Sequence, residues 1–248
     1  MCQPFDYFNT ADRRSTLLAR VPLFEGVELD VRNYIATKFT PRMLPARSDI
    51  VTVGESADRA HLIVYGIVEV MNTEQQENPY RFMAYRGPGA HLRTYGLVLD
   101  QRATYSARTL VECGVFEIRK ADFVECYERS TRLTRNLLAY YVTLLKAEFA
   151  YRSAMLQSDK TGQIATTLLQ IADALSTRLV SNESNPLRLS WLTQSELAQH
   201  LNVGRDAAVE AYKRMRSKKA IKGGYDRANH LEIVDVDILR KLSLDSLR

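Results

Sequence analysis

The sequence predicts an α+β protein in three stretches: a roll of short antiparallel strands, one long helix, and a pair of short helices closed by a β-ribbon. Three observations predict it. Between about Arg42 and Lys120, β-branched and aromatic runs alternate with turn residues. From Thr131 to Gln157 apolar residues recur at helical spacing with no glycine or proline. From Thr193 to Val234 the pattern reads helix, turn, helix, strand, turn, strand. A chain of 248 residues favours two domains, since domains commonly run to about 100 to 200 residues.

Composition excludes several classes. No apolar run approaches the roughly 18 residues of a membrane span, and the start MCQPFDYFNTADRR is too polar and acidic for a secretion signal, so the protein is expected in the cytoplasm. Three cysteines, Cys2, Cys113 and Cys126, lack C-x-x-C spacing, so neither a disulfide framework nor a metal site is expected. The net charge of +5 is modest, and its meaning depends on where it clusters.

In the first stretch the strand candidates are Ile50–Val53, His61–Met71, Tyr80–Tyr85, Ala103–Thr109 and Gly114–Ile118. Turn signals separate them at Gly54, Gly66, Asn78-Pro79, Gly87-Pro88-Gly89 and Asp100, a spacing that suits a jelly-roll-like antiparallel roll.

In the second stretch Leu133, Leu137, Tyr140, Leu144, Ala147, Tyr151 and Ala154 follow at steps of four and three, an a/d heptad stripe. A second apolar set, Leu138, Tyr141, Leu145 and Phe149, lies beside it. One face is expected to pack on the roll while the other meets a second copy of the chain, and the first stripe is taken as the dimer seam. Packing of the whole helix within its own domain is the alternative. Asp159 ends this segment and N-caps the next helix, whose apolar positions include Ile164, Leu168, Ile171 and Leu175. The expected division is a roll with its leading helices over 1–130, a dimerisation helix over 131–158 and a further domain over 159–248. The polar stretch Ser181–Pro186 is expected to be an exposed loop.

In the third stretch Thr193-Gln194-Ser195-Glu196 is a capping box, in which the Thr193 hydroxyl and the Glu196 carboxylate each take the other residue's amide. Asn202-Val203-Gly204 breaks this helix, and a second begins at Arg205. Ala208, Tyr212 and Met215 share one face of the second helix; Arg205, Asp206, Glu210 and Lys213 fall largely on the other. From Arg205 to Lys222 seven basic residues oppose two acidic ones, so phosphate is the natural counterpart. Ala220–Lys222 and His230–Val234 flank Gly223-Gly224 as a wing. The order reads as a winged helix-turn-helix, for which double-stranded DNA is the expected ligand. The expected contacts are Thr193, Gln194, Ser195, Asn202, Arg205, Asp206, Val209, Glu210 and Lys213.

With the roll and long helix before it, this unit resembles the CRP/FNR family of bacterial transcription regulators over nearly the whole chain. The resemblance is carried by Leu17–Val27 (LLARVPLFEGV), Gly54-Glu55, Gly66, Thr161–Ala165 (TGQIA) and Thr193–Met215. It implies a cyclic-nucleotide-binding-type roll, a dimerisation helix and a DNA-reading winged helix, with Ser181–Pro186 where the family's activators touch RNA polymerase. It implies that Arg205 bonds guanine or a phosphate and Asp206 a cytosine amino group, while Glu210 stands where an arginine is common.

The effector cassette departs further. Where the resemblance calls for Gly-Glu-x-Gly and an Arg-Ser or Arg-Thr pair, this chain has Arg93-Thr94-Tyr95-Gly96 and Ala103-Thr104. Cyclic AMP is therefore not the expected effector, although Arg93 or Arg102 offers a substitute charge. An effector pocket would involve Arg93, Thr94, Tyr95, Thr104, Glu148 and Phe149, with its ligand unidentified. No cofactor is expected: three separated cysteines do not suit an iron–sulfur cluster, and His61 or His91 as a haem ligand is weaker than a packed histidine. Two further readings stay open, a ligand-independent regulator and a redox-responsive one using Cys113 or Cys126. A metal enzyme of the cupin type is a remote alternative, since the histidines at 61, 91, 200 and 230 form no cluster.

Overall fold

The computed structural model describes residues 8–72, 81–177, 179, 187–224 and 230–245. The expected turn at Asn78-Pro79 and the loop Ser181–Pro186 lie outside the described residues. Contacts divide the chain into two units: residues 1–79, 83–144 and 177–182, and residues 80–82, 145–176 and 183–248.

The first unit begins with α1 (Ala11–Leu18) and α2 (Leu29–Lys38), then strands β1 (Thr40–Leu44), β2 (Asp49–Val51), β3 (Arg59–Tyr65), β4 (Val68–Asn72), β5 (Arg81–Arg86) and β6 (His91–Leu92). After α3 (Thr94–Leu99) come β7 (Ser106–Thr109), β8 (Cys113–Arg119), α4 (Lys120–Arg129) and α5 (Thr131–Gln157). Two four-stranded sheets result, in the orders β1-β8-β3-β6 and β2-β7-β4-β5. The expected strand His61–Met71 is two strands because Gly66, at φ +91°, turns the chain between them. A Cβ there would stand 2.4 Å from the Cys113 sulfur and 2.8 Å from the Glu112 carbonyl, so only glycine fits.

One core joins the leading helices to the first sheet through Leu18, Phe24, Ile35, Phe116 and Phe123, and Leu133 and Leu137 of α5 belong to it. A second, Val51, Ile63, Val68, Val70 and Ala107, includes Cys113.

This packing corrects the expected dimer stripe. Leu133 and Leu137 are buried in the fold's own core, and Tyr140 is stacked on His91. Tyr151 bonds Thr167, Leu144 is half-buried, and only Ala147 stands exposed. The face left in solvent carries Leu138, Val142, Leu145, Phe149 and Leu156, from 45% to 87% exposed. Two apolar stripes lie side by side on this helix, and spacing alone does not say which one the chain keeps for itself.

The second unit continues α5 past Leu144 and adds α6 (Lys160–Ala174), β9 (Arg188–Leu189), α7 (Gln194–His200), α8 (Arg205–Ser217), β10 (Ile221–Lys222), β11 (Leu231–Ile233) and α9 (Val236–Asp245). The Asp159 carboxylate caps α6 by accepting from the Gly162 amide at 2.8 Å, as its position predicts. The strands form one sheet, β10-β11-β9. Ile164, Leu168, Ile171, Leu197, Tyr212, Met215, Leu231 and Leu239 are buried in this unit.

Candidate nucleic-acid interface and roll site

Helix α7 starts where its capping box requires. The Thr193 hydroxyl accepts from the Glu196 amide at 3.2 Å, and the Glu196 carboxylate accepts from the Thr193 amide at 2.8 Å. Asn202, in left-handed backbone at φ +50°, makes the turn, a conformation asparagine tolerates better than most residues. Helix α8 then buries Ala208, Ala211, Tyr212 and Met215, while Arg205, Asp206, Ala207, Val209, Glu210 and Lys213 are exposed. The N-cap is Gly204, with no side-chain cap, so the first amides of α8 keep free donors pointing off its end.

The nine expected contacts therefore separate by role. Arg205, Asp206, Val209, Glu210 and Lys213 form one open face, and Ser195 and Asn202 are exposed beside the turn. Thr193 and Gln194 have structural partners instead: Thr193 is the cap, and the Gln194 amide donates to the Gly223 carbonyl of the wing at 2.8 Å. Gly224, at φ +83°, is hemmed in by that same glutamine. In the wing, Lys222 pairs with Glu232 across β10 and β11 at 3.1 Å.

In the roll, four of the six expected pocket residues gather around α3. Arg93 has φ +68° and is 5% exposed. Its Nη1 lies 3.5 Å from Glu55, while Nε and Nη2 have no hydrogen-bond partner. Its amide donates to the Tyr105 hydroxyl at 2.8 Å. Thr94 bonds the Tyr141 hydroxyl, and Tyr95 bonds Thr104 at 2.8 Å. Glu148 and Phe149 stand on the part of α5 counted with the second unit. Their place at the roll is taken by Tyr140 and Tyr141, which the sequence displays only as two more apolar heptad positions. Burial pushes the Tyr141 hydroxyl up to about 12 and raises Tyr105 and Tyr140 as well, so all three stay neutral. Arg102 donates from Nη1 to the Gly54 carbonyl at 2.8 Å.

Two histidines flank this region. His91 is stacked on Tyr140 with ring centroids 4.2 Å apart, and burial lowers its pKa to about 4. His61 lies 3.4 Å from the Glu117 carboxylate, and that bond, with Arg59, holds Glu117 at about 2. Cys113 and Cys126 are buried, and burial raises the Cys126 thiol to about 11, which disfavours the reactive thiolate. Among the described residues no group of three metal-binding side chains is present, and no helix is long and apolar enough to cross a membrane.

The chain thus joins a roll of two antiparallel sheets, a long helix and a winged helix. Residues 41–130 match the cyclic nucleotide-binding domain family. The chain is similar to the CRP-like cAMP-activated global transcriptional regulator of Mycobacterium tuberculosis, 23% identical over 79% of this chain and 85% of that one. The structure of FixK2 from Bradyrhizobium japonicum superposes with a TM-score of 0.66, at 13% identity over 82% of this chain and 96% of that one. A CRP/FNR-family regulator of Thermus thermophilus superposes at 0.61, with 17% identity over 84% and 100%. Residues 41–130 are thus a cyclic nucleotide-binding domain, and the chain as a whole is similar in fold to CRP/FNR-family regulators.

Proposed function

We propose that this regulator binds double-stranded DNA as a homodimer on a pseudo-palindromic site, one α8 entering each of two major grooves a helical turn apart. The observation that carries the reading is the open face of α8, where Arg205, Asp206, Val209, Glu210 and Lys213 project from a helix whose opposite side is core. Its action is binding, not catalysis. The second copy covers the exposed stripe Leu138, Val142, Leu145 and Phe149, whose steps of four, three and four are those of a two-stranded coiled coil. Gel-shift titration of the purified chain on genomic fragments, at two salt concentrations, tests it. Discrete complexes that survive the higher salt support the proposal, and an unresolved smear at both overturns it.

The roll favours an effector other than cyclic AMP. Thr94 and Ala103 stand where the family resemblance calls for a glutamate and an arginine, so the ribose and phosphate contacts of that nucleotide are missing. Arg93 leaves two guanidinium nitrogens without partners in a buried setting, a costly arrangement that an anionic group would relieve. A ligand-independent regulator is the second reading, favoured by Tyr140 and Tyr141, which tie α5 to the roll directly. Thermal shift against small anionic metabolites separates the two: a raised melting temperature supports the effector, and no response supports the second. RNA polymerase is a proposed partner for an activator of this architecture, with cytoplasmic location following from that role.

A further inference from the structure

The outward face of α8 carries an apolar side chain that the fold does not use. Val209 is 56% exposed, while its neighbours along the helix, Ala208 and Ala211, are buried. At about 100° per residue the four buried positions point to one side of the helix, and Asp206, Glu210 and Lys213 lie along the opposite line. Val209 flanks that line, one turn from Asp206 and one turn from Lys213. Being β-branched, it has one strongly preferred rotamer in a helix, so its methyl groups are held in place before anything touches them.

The charges around it are equally specific. Asp206 and Glu210 are four residues apart on one exposed face, a like-charge spacing that disfavours the helix. As ionised carboxylates both only accept hydrogen bonds, so they are repelled by guanine, whose major-groove edge offers acceptors alone, and satisfied by the amino groups of cytosine or adenine. The apolar group available at that edge is the thymine C5-methyl.

We propose that Val209 reads a thymine methyl in the major groove, next to amino-bearing bases taken by Asp206 and Glu210, with Arg205 on a guanine nearby. Resting on the DNA-binding reading above, this assigns a base chemistry to each half-site. Glu210 acts in two directions: it rewards an amino group and rejects guanine where an arginine would have chosen it. Discrimination of this kind needs the repulsive element as much as the attractive one.

The test starts from a random duplex pool from which the full-length chain selects its own site. In the selected duplex each thymine is then replaced in turn by deoxyuridine, which removes the methyl and nothing else. At one thymine per half-site the change weakens binding of the unaltered chain about fourfold, the ratio for one buried carbon group. Val209→Ala binds the thymine and deoxyuridine duplexes alike, with a melting temperature unchanged because the side chain is outside the core. Glu210→Gln relaxes the exclusion at the neighbouring base. Specific binding with no methyl-sensitive position, or with sensitivity that persists in Val209→Ala, overturns the inference while leaving the DNA-binding reading intact. Failure to recover any site from the pool overturns both.

Discussion

Replacing His91 with phenylalanine should make the roll more resistant to acid. The ring stacked 4.2 Å from Tyr140 is retained in shape, and the titrating nitrogen is removed. Burial lowers the pKa of His91 from 6.5 to about 4, so below 6.5 the unfolded chain takes up a proton that the folded chain refuses. Stability is therefore whole above pH 6.5 and falls as the pH drops towards 4. At 1.36 kcal/mol per pH unit the loss is about 2 kcal/mol by pH 5 and about 3 by pH 4. Urea unfolding followed by far-ultraviolet circular dichroism at pH 7, 6, 5 and 4 measures it. The natural chain should lose this increment between pH 6.5 and 4, and His91→Phe should not. Identical pH slopes for the two chains would mean that His91 is solvated and the account of its burial is wrong.

Glu117 acts in a lower window: held at about 2 by His61 and Arg59, it contributes stability present above pH 4.5 and lost as the pH falls towards 2. Glu117→Gln should flatten the remaining slope there, read by the same titration. Gly66→Ala should destabilise the fold by roughly 3 kcal/mol or more, because its Cβ strikes Cys113 and the Glu112 carbonyl, whereas Gly54→Ala, with open space around it, should lose only about 1 from its positive φ. Thr193→Ala should lower stability by about 1 kcal/mol in urea unfolding by removing half of the capping box. Leu145→Asp with Phe149→Asp should leave folding by circular dichroism intact and convert a dimer to monomer in sedimentation equilibrium.

The legibility of this fold followed the strength of its local signals. Asp159 and the Thr193 box were readable because capping is a short-range bond between residues three apart. The helix over Thr131–Gln157 was readable for want of any breaker. Strand β1 is not legible because Thr40–Leu44 is short and contains Pro41, which argues against a strand except at a sheet edge, so only its pairing with β8 makes it one. The two-residue β6 and short α3 also form through tertiary partners, among them Arg93 in left-handed backbone, where glycine is the usual signal. Which of the two stripes on α5 packs on the fold is not legible for a related reason: Leu133 and Leu138 are equally apolar, and only the core decides which is buried. At the roll, Tyr140 and Tyr141 were visible as apolar positions but not as hydrogen-bonding partners of His91 and Thr94. The exposed residues of α8 are readable together because amphipathic spacing separates core from surface without knowledge of anything else.

The central claim is that two copies of α8 engage one duplex with sequence preference. Fluorescence anisotropy of a labelled duplex carrying a selected palindromic site, titrated at near-physiological salt against a scrambled competitor, tests it most directly. Two copies of α8 on one site should saturate at two chains per duplex, with the selected site bound at least about a thousandfold more tightly than the scrambled one. Saturation at one chain, or equal affinity for both duplexes, would contradict it.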